Sequence, residues 1–189
     1  MRDIFAKKLN TNPVISAVKD LEKLDEALNS DCEIIFLLCG NIFNLKEIVE
    51  KAKAKGKFIF IHIDLIDGFS RDATALSYIH EKIQPDGIIS TKNSQLKTAK
   101  QLGLLTVQRL FVIDSLSMET AVKASASINP DAVEIMPGIM PRITKKLSAQ
   151  LDIPVIVGGL ISEKEDISNA LASGAKGVST SDMNLWKGN

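Results

Sequence analysis

Short apolar segments alternate with helix-periodic segments along almost the whole chain, and this alternation limits the fold more than any other feature. Pro13–Val18, Ile34–Cys39, Lys57–Asp64, Asp86–Thr91, Leu104–Val112, Asp131–Met136, Ile153–Val157 and Lys176–Thr180 read as strands. The third, KFIFIHID, shows almost no apolar/polar alternation, as expected of a parallel strand covered on both faces. Between the strands lie amphipathic stretches. Val18, Leu21, Leu24 and Leu28 form one stripe; Leu45–Ala54 is closed by Gly56, and a third helix covers Asp72–Lys82. Asn93–Leu102 stops at Gly103, and Ser117–Ser127 and Ile139–Ala149 come after it. The next helix opens with Ser162-x-x-Glu165, a capping-box spacing, and ends at Gly174, and a short terminal helix holds Trp186.

Strand–helix units repeated in this way require right-handed crossovers between parallel strands. Eight of them are the number that closes a (β/α)8 (TIM) barrel. An open doubly wound sheet is the competing topology, but the glycine-rich turn expected after its first strand is missing, since Val14–Asp20 contains no glycine. No Pro/Gly/Ser-rich linker divides residues 1–189, so the chain reads as one domain. Its 189 residues fall below the roughly 200 to 400 typical of such barrels, leaving little chain for lids.

Charge and composition exclude some functions. Lys+Arg and Asp+Glu are equal at 23 each, so there is no bulk attraction to nucleic acid or anionic lipid, and any such contact needs a local patch. No apolar run approaches 18 residues and no signal peptide is visible, which leads us to expect a cytoplasmic protein with no membrane partner. Cys32 and Cys39 are too far apart for a C-x-x-C motif and read as reduced core residues.

In a (β/α)8 barrel the chemistry sits at the C-terminal ends of the strands, with phosphate commonly bound after strands seven and eight. Gly158-Gly159-Leu160 comes after strand seven and Ser179-Thr180-Ser181-Asp182 after strand eight. The glycines would let backbone N–H groups approach an anion, and the second segment would add hydroxyls and a helix N-terminus. Other strand ends supply charge. Asp64 can accept ligand hydroxyls, assist a metal or cap a turn, whereas Asp67 precedes Gly68 and fits a turn. His62 reads as a core histidine. Lys92 closes strand four; Arg109 and Glu134 lie within apolar strands and must pair with each other or meet a ligand. An enzyme can be assembled from these groups, with Lys92 as a Schiff-base amine or Asp64 and Glu134 as base and acid. No metal-ligand cluster, nucleophile elbow or cofactor fingerprint accompanies them.

Several segments together resemble one family. HIDLIDG (62–68), GIISTK (87–92), TVQRLFVIDS (106–115), PDAVEIMPG (130–138), PVIVGGLI (154–161) and STSDMNLW (179–186), with PVISAVKD (13–20) before them, are similar to the bacterial glycerol uptake operon antiterminators. The resemblance implies a non-enzymatic barrel, without a cofactor, that takes glycerol 3-phosphate as effector and then acts on the leader mRNA of glycerol-utilisation genes. Carried over by motif, it implies ligand contacts from Asp64, Lys92, Arg109, Glu134, Gly158, Gly159, Ser179, Thr180 and Ser181. Two basic groups are candidates for the RNA step: Lys51, Lys53, Lys55 and Lys57, and Arg142, Lys145 and Lys146 on the functional side. A homo-oligomer could assemble a basic surface that no single chain displays. The alternatives kept are a sugar-phosphate aldolase or isomerase and a sensor acting through a protein partner.

Overall fold

The computed structural model describes residues 1–187. Eight parallel strands pair in chain order: β1 (Val14–Val18), β2 (Ile34–Leu37), β3 (Phe58–His62), β4 (Gly87–Ser90), β5 (Leu105–Phe111), β6 (Ala132–Met136), β7 (Val155–Gly158) and β8 (Gly177–Thr180). β8 returns to β1, with Ile15 opposite Ser179, and closes the barrel. The open-sheet alternative is thereby excluded. Helices α2 (Leu24–Asn29), α3 (Leu45–Ala54), α4 (Ala73–Tyr78), α5 (Asn93–Gln101), α6 (Ser115–Ile128), α7 (Pro141–Gln150) and α8 (Lys164–Ala172) come after β1 to β7 in turn, while α1 (Arg2–Thr11) precedes the sheet.

The strands lack alternation because both faces are buried. Inward-facing Ile15, Ile34, Phe36, Phe60, Ile89, Leu105, Val107, Ala132 and Ile156 fill the barrel. Outward-facing Ile35, Leu37, Ile59, Ile61 and Ile88 pack with Leu28, Val49, Ile79 and Leu96 from the helices, and Val133, Ile135, Val155 and Val157 pack with Leu147 and Ala170.

Four local features differ from the sequence expectation. The N-terminal residues form α1, whose Phe5 and Leu9, one turn apart, enter the barrel interior; the Phe5 ring lies 5.1 Å from that of Phe60. This helix plugs the end opposite the functional face. Leu21 stands in a 3-10 turn (Leu21–Lys23) and is exposed, because the Asp20 carboxylate accepts from the Glu22 N–H and caps that turn; the buried stripe starts at Leu24. The cap of α8 is shifted by one residue from the predicted Ser162-x-x-Glu165: Asp166 accepts from the Ser162 and Glu163 amides, so Glu163 is the N-cap. Trp186 sits after only a 3-10 turn (Met183–Leu185), where its buried indole N–H donates to the Thr180 carbonyl at 2.8 Å. Cys32 and Cys39 are free, and burial pushes the Cys32 thiol up to about 11. No helix among the described residues is long and apolar enough to cross a membrane.

Candidate functional site

The apolar filling of the barrel stops below its C-terminal end. Above it the inward positions turn polar, because β5 and β6 place Arg109 and Glu134 opposite each other in register and both side chains point inward. Both are buried, so each answers the other. Arg109 Nε donates to Glu134 Oε2 at 2.6 Å, and Ser179 Oγ on β8 donates to Glu134 Oε1 at 2.6 Å. Gly158, on β7 between these two strands, makes room for that second bond. A Cβ there would fall 2.2 Å from Ser179 Oγ and 2.8 Å from Glu134 Oε1. The absent side chain thus serves the buried network.

Over this network opens a cavity of about 200 Å³, bounded by Ala17, Lys19, Leu38, Arg109, Glu134, Met136, Gly159–Ile161 and Ser179–Ser181. Six of the predicted ligand residues meet here: Arg109, Glu134, Gly159, Ser179, Thr180 and Ser181. The hydroxyls are not equally free. Ser179 is spent on Glu134, and Thr180 Oγ1 donates to the Ile161 carbonyl at 2.9 Å while accepting from the Asp182 N–H. Ser179 and Thr180 also lie inside β8, and the chain beyond them enters a three-residue 3-10 turn, so the expected helix N-terminus after strand eight is absent. Gly159 adopts φ +78°, a backbone that favours glycine, and the segment from Gly159 to Ile161 forms the rim on the β7 side.

Asp64 and Lys92 form a separate group at the ends of β3 and β4. Asp64 Oδ2 accepts from the Thr91 N–H at 2.9 Å and lies 3.0 Å from Ser90 Oγ, so the carboxylate braces the turn after β4. Burial pushes the Asp64 carboxyl up, but these hydrogen bonds together with His62 and Lys92 hold it below the usual carboxylate range. Lys92 Nζ stands 3.8 Å from Asp64 Oδ1 and is about half exposed. His62, expected as a satisfied core residue, is buried, yet its Nδ1 has no hydrogen-bond partner and lies 3.9 Å from Asp64 Oδ2. Burial and the nearby Arg109 guanidinium push its pKa down to about 4, so the ring is neutral at pH 7. Asp67 acts through its backbone, accepting from the Ile42 N–H and donating to the Gly40 carbonyl in a turn completed by Gly68 at φ +84°.

The two basic groups fare differently. Lys51 pairs with Glu47, Lys55 donates to Asn29 Oδ1, and Lys57 donates to the Ser30 and Cys32 carbonyls, so the first group is largely committed within the fold. Arg142, Lys145 and Lys146 lie along one exposed stripe of α7. One charged cavity residue escapes sequence reasoning. Lys19 projects from the end of β1, and its position after PVISAV, at a strand's C-terminal end, is the one signal that could mark it.

Fold and site together define a (β/α)8 barrel with a small, charged cavity over the β7–β8–β1 end of its mouth. The chain belongs to the glycerol-3-phosphate responsive antiterminator family, whose model matches residues 14–186. It is 41% identical over 178 residues to the uncharacterized protein YgcP of Escherichia coli (strain K12), covering 94% of this chain and 93% of that one. Among solved structures it is similar to a glycerol uptake operon antiterminator regulatory protein from Listeria monocytogenes, with TM-score 0.89 and 37% identity over 94% of this chain and 96% of the other. A glycerol uptake operon antiterminator-related protein from Thermotoga maritima gives TM-score 0.81 and 29% identity, covering 92% and 96%.

Proposed function

We propose that the protein is a cytoplasmic glycerol-3-phosphate sensor that binds this ester at the barrel mouth and then engages the leader mRNA of glycerol-utilisation genes, preventing termination. The observation that carries the reading is the cavity itself, in a chain of this family. At about 200 Å³ it lies below the roughly 300 to 1,000 Å³ of pockets for drug-sized ligands, which suits a three-carbon ester. Its floor offers a carboxylate to accept hydroxyls and a guanidinium to donate to oxygens.

A path from ligand to RNA is supported by one contact. The Gly159 carbonyl, on the cavity rim, accepts from the Gly138 N–H at 3.0 Å, and Gly138 lies just ahead of α7 and its Arg142, Lys145 and Lys146. Ordering of the rim by ligand would favour one placement of that helix's first turn, and the ligand can shift the balance only by its differential affinity for the two states.

An aldolase-type reading would require Lys92 as a nucleophile. Such a lysine is activated by an apolar pocket or a neighbouring cation, whereas Lys92 is half exposed and faces the Asp64 carboxylate. The regulator reading is therefore preferred. Calorimetric titration with glycerol 3-phosphate, glycerol and inorganic phosphate tests it, and equal or absent binding of all three would sink it. Affinity for a leader transcript should rise with glycerol 3-phosphate and fall when Arg142, Lys145 and Lys146 are all changed to Gln.

A further inference from the structure

We infer that Lys19 is the charge partner of the ligand's phosphate, so that the ester binds with its phosphate at the rim and its hydroxyl end on the Arg109–Glu134 floor. The inference deepens the proposed sensor function and rests on it.

The cavity's formal charges come from Lys19, Arg109 and Glu134. Arg109 and Glu134 are both buried and joined at 2.6 Å, so their charges answer each other. An anion seated on that floor would meet the Glu134 carboxylate at close range, where little water screens it. The hydroxyls that would otherwise receive an anion on this side, those of Ser179 and Thr180, already donate to Glu134 and to the Ile161 carbonyl.

Lys19 stands apart from this network. It is exposed on the rim, and no hydrogen bond or ion pair ties its ammonium among the described residues. Its neighbour Asp20 turns its carboxylate to the Glu22 N–H. Ser181, half-buried on the same rim, likewise has an uncommitted hydroxyl among the described residues. The rim thus supplies a mobile cation and a donor, while the floor supplies a fixed acceptor–donor pair. A phosphate monoester carries about −1.5 to −2 charge at pH 7 and chiefly accepts, whereas the ester's hydroxyls both donate and accept. The rim matches the first end of such a molecule and the floor matches the second. A lysine's flexible stem also lets it follow a ligand into an open mouth without a lid.

Titration calorimetry of wild type, Lys19→Met and Lys19→Arg with glycerol 3-phosphate, propyl phosphate and inorganic phosphate, at pH 5 and pH 7.5, tests the assignment. Wild type should bind all three more tightly at pH 7.5, where the second phosphate proton (pKa about 6) has left. Lys19→Met should weaken each by about tenfold to a hundredfold at pH 7.5 and flatten the pH dependence, with an unchanged melting curve, and Lys19→Arg should recover most of the loss. Binding by Lys19→Met within about twofold of wild type at both pH values overturns the inference and leaves the sensor standing. Failure of wild type to bind any of the three phosphates overturns both.

Discussion

Replacing Glu134 with Leu removes the acceptor for both Arg109 Nε and Ser179 Oγ, each 2.6 Å away, and leaves the guanidinium of a residue only 7% exposed. Breaking a buried ion pair from one side typically costs about 3–5 kcal/mol, because the remaining charge is uncompensated. Glu134→Leu and Arg109→Met should each lose about that much in urea denaturation at pH 7, read as a drop in midpoint at constant slope. Glu134 itself is 0% exposed, so the Arg109→Met loss should fall in the same range, softened only by the surviving Ser179 hydrogen bond. The double variant carries neither charge and fills the site with apolar volume, so it should lie within about 2 kcal/mol of wild type rather than showing the sum of the single losses. Losses below about 1 kcal/mol each would show that both charges reach water in solution, and two full losses that simply add would show that the two charges do not answer each other.

Acid should destabilise the barrel through His62. Its pKa is near 4 in the folded chain against about 6.5 unfolded, so the unfolded state binds more protons in between. Stability that is full above about pH 6.5 falls as pH drops towards 4, by roughly 2 kcal/mol from pH 7 to pH 5. Asp86, whose carboxyl is raised by burial, works in the opposite sense, so the comparison is with His62→Leu. That variant should lack this part of the pH slope in urea titrations, and an unchanged slope would count against a neutral buried ring. Gly158→Ala should destabilise by about 1–3 kcal/mol, since its Cβ must displace Ser179 Oγ and Glu134 Oε1, and adding Ser179→Ala should recover part of that loss in thermal melts. Phe5→Ala should cost about 3–5 kcal/mol by uncovering the lower barrel, whereas a loss below about 1 kcal/mol would mean that α1 is not the plug.

Much of this architecture is legible in the chain because the driving patterns are local. Segments such as KFIFIHID have few polar positions to face water, and the helices between them carry apolar stripes at their own period, so a parallel sheet wrapped in helices can be read from short windows. The first helix is hard to see because its apolar signal is only Phe5 and Leu9, and a stripe of two says nothing about its cover until Phe60 is placed beneath it. Arg109 and Glu134 are legible as partners because two charges in apolar strands must meet something.

The roles within the site are less legible. Gly158 and Gly159 look alike in sequence, yet one makes space for a buried hydrogen bond and the other shapes the cavity rim. Hydroxyls of Ser179 and Thr180 read as ligand donors until their partners, 45 and 19 residues away, are seen. Lys19 carries no local mark beyond its place at a strand end.

One-dimensional information was enough for the count of strands that close the barrel, for the Arg109–Glu134 pair at its functional end and for the family it joins. Periodicity, strand length and motif order act over a few residues and need no knowledge of the fold. Which charges are already spent, and which remain for a ligand, was settled in three dimensions. Hydrogen-bond satisfaction is a property of neighbours in space, and around the mouth those neighbours come from β1, β5, β6, β7 and β8 at once.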